Sequence, residues 1–224
     1  MRFLIVVPTI RRSLPGFDEA QNRLRASFTQ PTELHVLDGA AGKAQTLNAA
    51  YVVLLKPSAA DIYVTLDDDL IPPPGWQDVL SRAFDANPKW GALGLWLGEP
   101  HRAYMGLASG ALPQVVAGVE CFAAENHLVG CLIAFRREVA LAVGKIPDSR
   151  EKYQYWEDGW RGGRVRELGF GMAYVYAPEC VPELVAYEDS PEYLAAKAAD
   201  IASAKRGSLW SRIARRLRRQ GKRI

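Results

Sequence analysis

Asp61-Ile-Tyr-Val-Thr-Leu-Asp67-Asp68-Asp69-Leu-Ile-Pro-Pro-Pro-Gly-Trp76 carries the clearest structural signal in the chain: an apolar run stops at three consecutive acids and then at three prolines. Residues 62–66 are apolar or β-branched, which predicts a buried strand. Because prolines cannot continue a ladder, we expect the three acids at the carboxyl end of that strand. In an open α/β sheet, that edge is where ligands bind.

The three adjacent acids have two interpretations. Neighbouring carboxylates repel one another, and a divalent cation that arrives with a phosphate-bearing ligand relieves the repulsion. A solvated acidic turn is the alternative interpretation of a bare Asp-x-Asp. The rest of the chain has to decide between them.

The composition predicts one globular domain with a short appendage. The 224 residues are 49% hydrophobic and 24% charged, enough for one sizeable core. No run approaches the roughly 18 apolar residues of a membrane span, and Pro8 cuts the N-terminal run short of a signal-peptide core, so we expect a cytoplasmic protein. The three cysteines lack close ligand spacing, which argues against a disulfide framework and a zinc site.

The net charge of +3 hides an acidic body and a basic tail. Residues 205–224 hold nine Lys or Arg and no acid, so the remaining 204 residues carry a formal −6. Leu209, Trp210, Ile213, Ala214 and Leu217 share one helix face, which predicts a basic amphipathic helix on an anionic membrane surface. A partner-binding helix and a disordered end are alternatives. A nucleic-acid tail is a third, but no stacking platform accompanies the helix. We divide the chain into a domain over 1–190 and a helical, basic extension over 191–224.

Strands and helices alternate at the start of the chain. The apolar runs 2–10 and 62–66 predict strands, residues 33–37 predict a second short strand, and 17–28 and 42–55 predict helices. This β-α-β-α-β order predicts a parallel sheet with right-handed crossovers.

Later elements follow the same rules. The patterns predict helices over 77–86, 136–143 and 161–168 and strands over 113–123, 128–135 and 172–176. Residues 91–110, rich in glycine and tryptophan, predict a mobile or substrate-facing loop.

Several separated motifs agree in order and spacing. They are Val6-Val-Pro8-Thr9, Gly42-Lys43 with Leu47-Asn48-Ala49, Asp67-Asp68-Asp69 with Pro72, Phe135-Arg136-Arg137-Glu138-Val139, and Glu157-Asp158 with Arg164. With these motifs, residues 3–180 resemble the inverting glycosyltransferase family 2. The resemblance implies the GT-A fold, an α/β, Rossmann-like, mostly parallel mixed sheet flanked by helices, here followed by the basic C-terminal amphipathic helix. Two positions differ from the family pattern: Trp160 stands where many members have a second Asp, and residues 179–183 lack the His of many members.

The resemblance implies a nucleoside-diphosphate sugar as donor, with UDP favoured, and Mn²⁺ or Mg²⁺ as cofactor. The residues that it implies in nucleotide binding are Pro8, Thr9, Arg11, Asp38, Lys43, Asn48 and Asp67. Asp69 is the expected metal ligand, and Asp67 is expected on the ribose or on a metal-bound water. Asp68 points to the opposite face of an extended segment and is assigned no chemistry. The metal would neutralise charge on the β-phosphate.

The resemblance also implies a catalytic base. Inversion requires an acceptor hydroxyl to attack from the side opposite the leaving group while a base takes its proton, and Asp158 is the expected base, with Glu157 as the second candidate. The predicted acceptor or sugar contacts are Trp156, Trp160, His127 and Trp96. The aromatic residues would raise the pKa of Asp158, whereas Arg161 or Arg164 would lower it, and the sequence leaves that balance open. We expect a glycan, lipid-linked or cell-surface polymer acceptor.

Three alternative functions share parts of this pattern. A phosphohydrolase of the haloacid dehalogenase type also has Asp-x-Asp after an apolar strand, but on its first strand and with Thr or Val where this chain has Ile71. A sugar-phosphate nucleotidyltransferase expects a Gly-rich basic loop after the first strand, of which residues 9–16 are a poor version. A non-catalytic carbohydrate-binding protein that keeps the fold differs only in its lack of activity.

Overall fold

The computed structural model describes residues 1–105, 107, 112–147, 156–189, 191 and 194–199. Its strands are β1 (Phe3–Thr9), β2 (Thr32–Asp38), β3 (Ile62–Leu66), β4 (Leu70–Ile71), β5 (Trp90–Leu95), β6 (Gln114–Val116), β7 (Val119–Ala123), β8 (Leu132–Arg136), β9 (Gly171–Tyr176) and β10 (Glu183–Leu184). Its α-helices are α1 (Phe17–Ala26), α2 (Lys43–Ala50), α3 (Trp76–Ala86), α4 (Arg137–Val143) and α5 (Trp156–Glu167).

Eight strands form one mixed sheet in the order β2-β1-β3-β8-β5-β9-β7-β6. β1 pairs in parallel with both β2 and β3, as the alternation of strands and helices predicts. β7 and β8 run against the other six strands. The predicted sheet, mixed and mostly parallel, is confirmed.

Helices cover both faces of the sheet. Leu4 and Val6 of β1 face the core beneath α2, α4 and α5, whereas Ile5 and Val7 face the core beneath α1 and α3. Because both faces are covered, β1 and β3 need a continuous apolar run rather than alternation. Trp76, at the start of α3, is fully buried and donates from its indole nitrogen to Ser27 Oγ at 3.2 Å.

The prediction of a loop over 91–110 is wrong in its first part, since β5 is a buried strand near the middle of the sheet. Its glycines serve close packing. A Cβ on Gly91 would lie 2.7 Å from Cβ of Phe170, and one on Gly94 would lie 3.2 Å from the carbonyl oxygen of Leu132. Glycine here marks crowding between strands and helices, not mobility.

Three further features differ from the sequence prediction. The predicted strand 113–123 is a hairpin, because Ala117 and Gly118 both adopt positive φ and turn the chain between β6 and β7. α5 begins at Trp156 rather than at residue 161, which places Glu157 and Asp158 in its first turn. The pairing of β4 with β10 joins two short segments far apart in sequence and was not predicted.

The C-terminal part is described only to residue 199, where residues 194–199 are helical. The predicted amphipathic helix over 205–224 lies outside the described residues, so it stays a prediction, as does the boundary at residue 190.

Within the described ranges, no helix combines the length and apolar character that crossing a bilayer requires.

Candidate active site

The functional side chains meet at one edge of the sheet. β1, β2 and β3 are parallel and end there at Thr9, Asp38 and Leu66, with Asp67 next in the chain. β8 runs the opposite way and therefore begins there, so the backbone N–H of Asp67 donates to the carbonyl oxygen of Cys131 at 2.8 Å. Burial, and next the charge of Asp67, raise the pKa of the Cys131 thiol to about 12. That thiol stays protonated and is no nucleophile.

Lys43, at the start of α2, joins two acidic segments. Its Nζ lies 2.7 Å from Oδ1 of Asp67 and 3.4 Å from Oε1 of Glu157. Burial opposes the charge of Lys43, but the neighbouring carboxylates, first that of Asp67, outweigh it and hold the pKa of Lys43 well above its usual value. A permanent cation therefore lies between the end of β3 and the start of α5.

Asp158 is a buried acid with a raised pKa. The residue is 5% exposed, and its Oδ1 has no hydrogen-bond partner among the described residues. Burial is the main cause that raises the pKa of Asp158 to about 7, with Lys43 and Arg161 lowering it and Glu157 raising it. The sequence left open whether burial or the neighbouring cations control the pKa of Asp158, and in the structure burial outweighs the cations.

Arg161, one turn after Glu157 in α5, is a buried cation held from two sides. Its guanidinium donates to Thr65 Oγ1 at 3.0 Å and lies 4.4 Å from the ring centroid of Phe135. Burial lowers the pKa of Arg161. Arg164 instead points outward and pairs with Glu167, so of the two arginines considered from the sequence only Arg161 acts on Asp158.

A second network surrounds Arg11, which is buried. Its guanidinium contacts Oδ1 of Asp68 at 2.6 Å and Oδ2 of Asp69 at 3.3 Å, and it donates to both carboxylate oxygens of Asp189 at 2.7 and 2.9 Å. Thr9 Oγ1 donates to Asp68 and accepts from the backbone N–H of Arg11 at 2.9 Å. Thr9 and Asp68 therefore fix the position of Arg11.

Sequence reasoning missed the segment 183–189, which covers this network. The Val185 backbone N–H donates to the carbonyl oxygen of Asp69 at 2.7 Å, and the Tyr187 hydroxyl donates to that of Asp68 at 3.2 Å. The Tyr187 ring lies 5.3 Å from the Arg11 guanidinium. No local pattern could reveal a partner such as Asp189, which is 178 residues from Arg11.

The acidic triplet divides into one buried and two partly exposed carboxylates. The side chain of Asp68 is 8% exposed, whereas those of Asp67 and Asp69 are 29% and 33% exposed. Burial, and next the charge of Asp67, raise the pKa of Asp69. A divalent cation would remove that repulsion, and carboxylate oxygens suit Mn²⁺ or Mg²⁺, so Asp67 and Asp69 fit such an ion. No three His, Cys, Asp or Glu side chains of the described chain converge as a complete metal site, so a ligand or water would supply the remaining oxygens.

Three predicted nucleotide residues lie at or near this edge with other contacts. Pro8 is partly buried in β1, beside Thr9. Asp38 is exposed at the end of β2, and its Oδ1 accepts from the Ala40 backbone N–H at 2.9 Å. Asn48 bonds to both the N–H and the carbonyl oxygen of Ile146 at 2.7 Å, so its amide ties α2 to the segment after α4. This placement does not support a nucleotide contact for Asn48.

The predicted sugar contacts differ in how deeply they are buried. Trp96 is 3% exposed, with its ring centroid 4.5 Å from that of Phe122, so it belongs to the core and its placement does not support a sugar contact. Trp160 is partly buried against the same core. His127 is partly buried, which lowers its pKa, and a Cβ on Gly162 of α5 would lie 2.9 Å from its Cα. The side chain of Trp156 lies outside the described part.

The sequence matches no protein-family model and no curated protein. Among solved structures, a mannosyltransferase from Pyrobaculum calidifontis in complex with GDP-Man and Mn²⁺ is 20% identical, with a TM-score of 0.60 over 92% of this chain. This chain spans 64% of that protein's length. The catalytic domain of Drosophila β1,4-galactosyltransferase 7 with xylobiose is 15% identical over 86% of this chain and 72% of its own, with a TM-score of 0.52.

A third solved structure, S. aureus TarS in complex with UDP-GlcNAc, is 14% identical over 85% of this chain and 60% of its own, with a TM-score of 0.53. The chain has the GT-A fold. In this GT-A domain the Asp-x-Asp follows β3 rather than β1, which removes the phosphohydrolase interpretation. At this edge Lys43 contacts both Asp67 and Glu157.

Proposed function

We propose that the protein is an inverting glycosyltransferase, which moves a sugar from a UDP-linked or related nucleoside-diphosphate sugar to a hydroxyl of a glycan, lipid-linked or cell-surface polymer acceptor. The observation that carries this proposal is Asp158: a buried carboxyl group, with its pKa raised to about 7, on the helix that Lys43 links to the acidic triplet. A group with that pKa suits proton transfer at neutral pH.

The donor's diphosphate would bind at the edge between Lys43 and Arg11. Both side chains are cationic and lie against the triplet, Lys43 at Asp67 and Arg11 at Asp68 and Asp69. Arg11 already shares its charge among three carboxylates, so it adds less net attraction than Lys43. Lys43 is therefore the principal cation that we assign to the diphosphate.

A divalent metal is part of the proposal. The solved mannosyltransferase is in complex with GDP-Man and Mn²⁺, and a mutant of the galactosyltransferase is in complex with manganese and UDP-Gal. Here Asp67 and Asp69 would hold Mn²⁺ or Mg²⁺, which would offset the negative charge that grows on the leaving diphosphate.

In the transfer step, the acceptor oxygen attacks the anomeric carbon from the side opposite the phosphate. The new C–O bond forms as the bond from the anomeric carbon to the phosphate oxygen breaks, and the diphosphate leaves with that electron pair. The acceptor's hydroxyl proton passes to the carboxylate of Asp158, which later releases it to solvent. The burial of Asp158 supports this role, because a desolvated carboxylate binds a proton more strongly.

A ligand-observed NMR panel of UDP-, GDP-, dTDP- and CMP-sugars, with and without Mn²⁺, tests the donor class. UDP-sugars are expected to show saturation transfer that Mn²⁺ strengthens, and GDP-sugars belong in the panel because the mannosyltransferase of the same fold carries GDP-Man. Release of the nucleoside diphosphate with a candidate acceptor then measures turnover. Saturation transfer from none of the four classes would overturn the proposal.

The proposal includes a location at the cytoplasmic face of the membrane. Its support is the sequence pattern of residues 205–224, with nine basic residues around an apolar face. The acceptor would then be presented at that surface.

A further inference from the structure

Gly130, just before β8, touches the carboxylate of Asp158. The residue is buried. A Cβ placed on Gly130 would lie 2.5 Å from Oδ2 and 2.6 Å from Oδ1 of Asp158, and 2.8 Å from its Cγ. Both carboxylate oxygens therefore rest against the bare Cα of this glycine.

The backbone conformation does not explain why residue 130 is a glycine. Among the residues that the structure describes, the glycines with positive φ are Gly16, Gly42, Gly75, Gly98, Gly118, Gly144 and Gly169, and Gly130 is not one of them. Its φ is not in the left-handed region that favours glycine, so the need for glycine lies in the side-chain space. Asp158 supplies all three of the atoms nearest to that space.

We propose that Gly130 is a positioning residue for Asp158: because Gly130 has no Cβ, the catalytic carboxylate can lie directly against its backbone. The inference rests on the proposed function for its catalytic meaning. Cys131, the next residue, accepts the backbone N–H of Asp67 at 2.8 Å. Two consecutive residues thus set the position of the base and of the donor-side acid.

Alanine at Gly130 is expected to move Asp158 rather than to unfold the protein. Ordinary contact of a Cβ begins at 3.4 Å, so the carboxylate has to retreat by close to 1 Å. The overlapping atoms form the end of a side chain that can rotate, whereas the backbone of β8 stays in place. Misplacement of a reacting group by about 1 Å can reduce the rate about 100-fold.

The first test compares two Gly→Ala variants by steady-state kinetics, with the donor that the NMR panel identifies and an acceptor that gives turnover. Gly130→Ala is expected to lower kcat by about 10- to 100-fold while the donor KM stays within about twofold. The matched control is Gly163→Ala in α5, where an added Cβ meets nothing within 4 Å, and its kcat should stay unchanged. Unchanged turnover in Gly130→Ala would overturn the inference.

The second test does not need turnover. In ¹³C NMR of the side-chain carboxyl groups, Gly130→Ala should lower the titration midpoint of Asp158 by at least about half a unit, because the displaced carboxylate gains solvent. Gly163→Ala should leave the midpoint in place. A midpoint that does not move in Gly130→Ala would refute the contact. A midpoint that moves in a protein without transferase activity would overturn the proposed function, but it would support the contact between Gly130 and Asp158.

A double variant tests whether any loss of stability in Gly130→Ala comes from overlap with Asp158. If Gly130→Ala lowers the Tm, adding Asp158→Ala removes the overlapping carboxylate and should restore it. A Tm that stays low in the double variant would place the overlap elsewhere and overturn the inference.

Discussion

Arg11 and Asp189 form a two-point ion pair, with contacts of 2.7 and 2.9 Å between the guanidinium and the carboxylate. The pair joins the turn after β1 to the segment that follows β10, and the side chains are 9% and 14% exposed. The segment thereby closes over the backbone of Asp68 and Asp69.

Asp189→Asn is expected to lower the free energy of unfolding by about 1–3 kcal/mol, because a buried charged hydrogen-bond partner is lost. Urea unfolding measures this change in the free energy of unfolding. The control is Glu183→Gln in the same segment, which removes an exposed pair with Arg23, and it should give no measurable change. Equal midpoints for Asp189→Asn and the wild type would contradict the structural role of the pair.

The pH dependence of turnover follows from Asp158. Its pKa of about 7 means that the active carboxylate form grows with pH, so kcat/KM should rise tenfold per pH unit below about 7 and level off above it. Asp158→Asn should lower kcat by about 100-fold or more and abolish this limb. The control is Glu167→Gln, an exposed position on the same helix. A retained acid limb in Asp158→Asn would show that another group is the base.

Asp158 should also destabilise the fold at neutral pH. Its folded-state pKa lies above that of the unfolded chain, so its contribution is most favourable below about pH 4 and is lost as the pH rises to about 7. The stability gained by replacing Asp158 with Asn should therefore be larger at pH 8 than at pH 5, by about 2–3 kcal/mol. Urea unfolding of both proteins at both pH values checks the sign, and an equal difference at the two pH values would be inconsistent with it.

The hairpin turn between β6 and β7 offers a stabilising substitution. Ala117 adopts a φ of 50°, which is unfavourable for a residue with a Cβ other than Asn or Asp, and Gly118 follows with 75°. Ala117→Asn creates the Asn-Gly pair that such turns prefer and should add about 1 kcal/mol. Calorimetry should show a Tm rise of about 2–4 °C. A lower Tm would contradict the turn assignment.

Removal of residues 205–224 should weaken binding to liposomes that contain anionic lipid, since nine basic side chains are lost. Co-sedimentation measures the effect, and neutral liposomes are the control. Unchanged binding to anionic liposomes would remove the membrane role of this segment.

β1 and β3 could be predicted because they are continuous apolar runs, and the first two helices could be predicted because glycine or proline lies near their ends. β5 could not, since Gly91 and Gly94 look like loop residues until Phe170 and Tyr174 are seen against them. The same limit applies to Asn48 and Trp96, whose partners come from distant parts of the chain. The motifs marked Asp67, Lys43 and Glu157 as candidate site residues, whereas the pKa of Asp158 depends on burial that only packing determines.

The close packing of Gly162 has a consequence for how acceptor recognition can change. An added Cβ there would lie 2.6 Å from the carbonyl oxygen of Asn126, so α5 rests directly on the backbone before β8. A change of length at residues 126–127 is therefore expected to displace α5 and, with it, the carboxyl group of Asp158. Evolution of new acceptor preferences is consequently expected in loops that do not rest on α5.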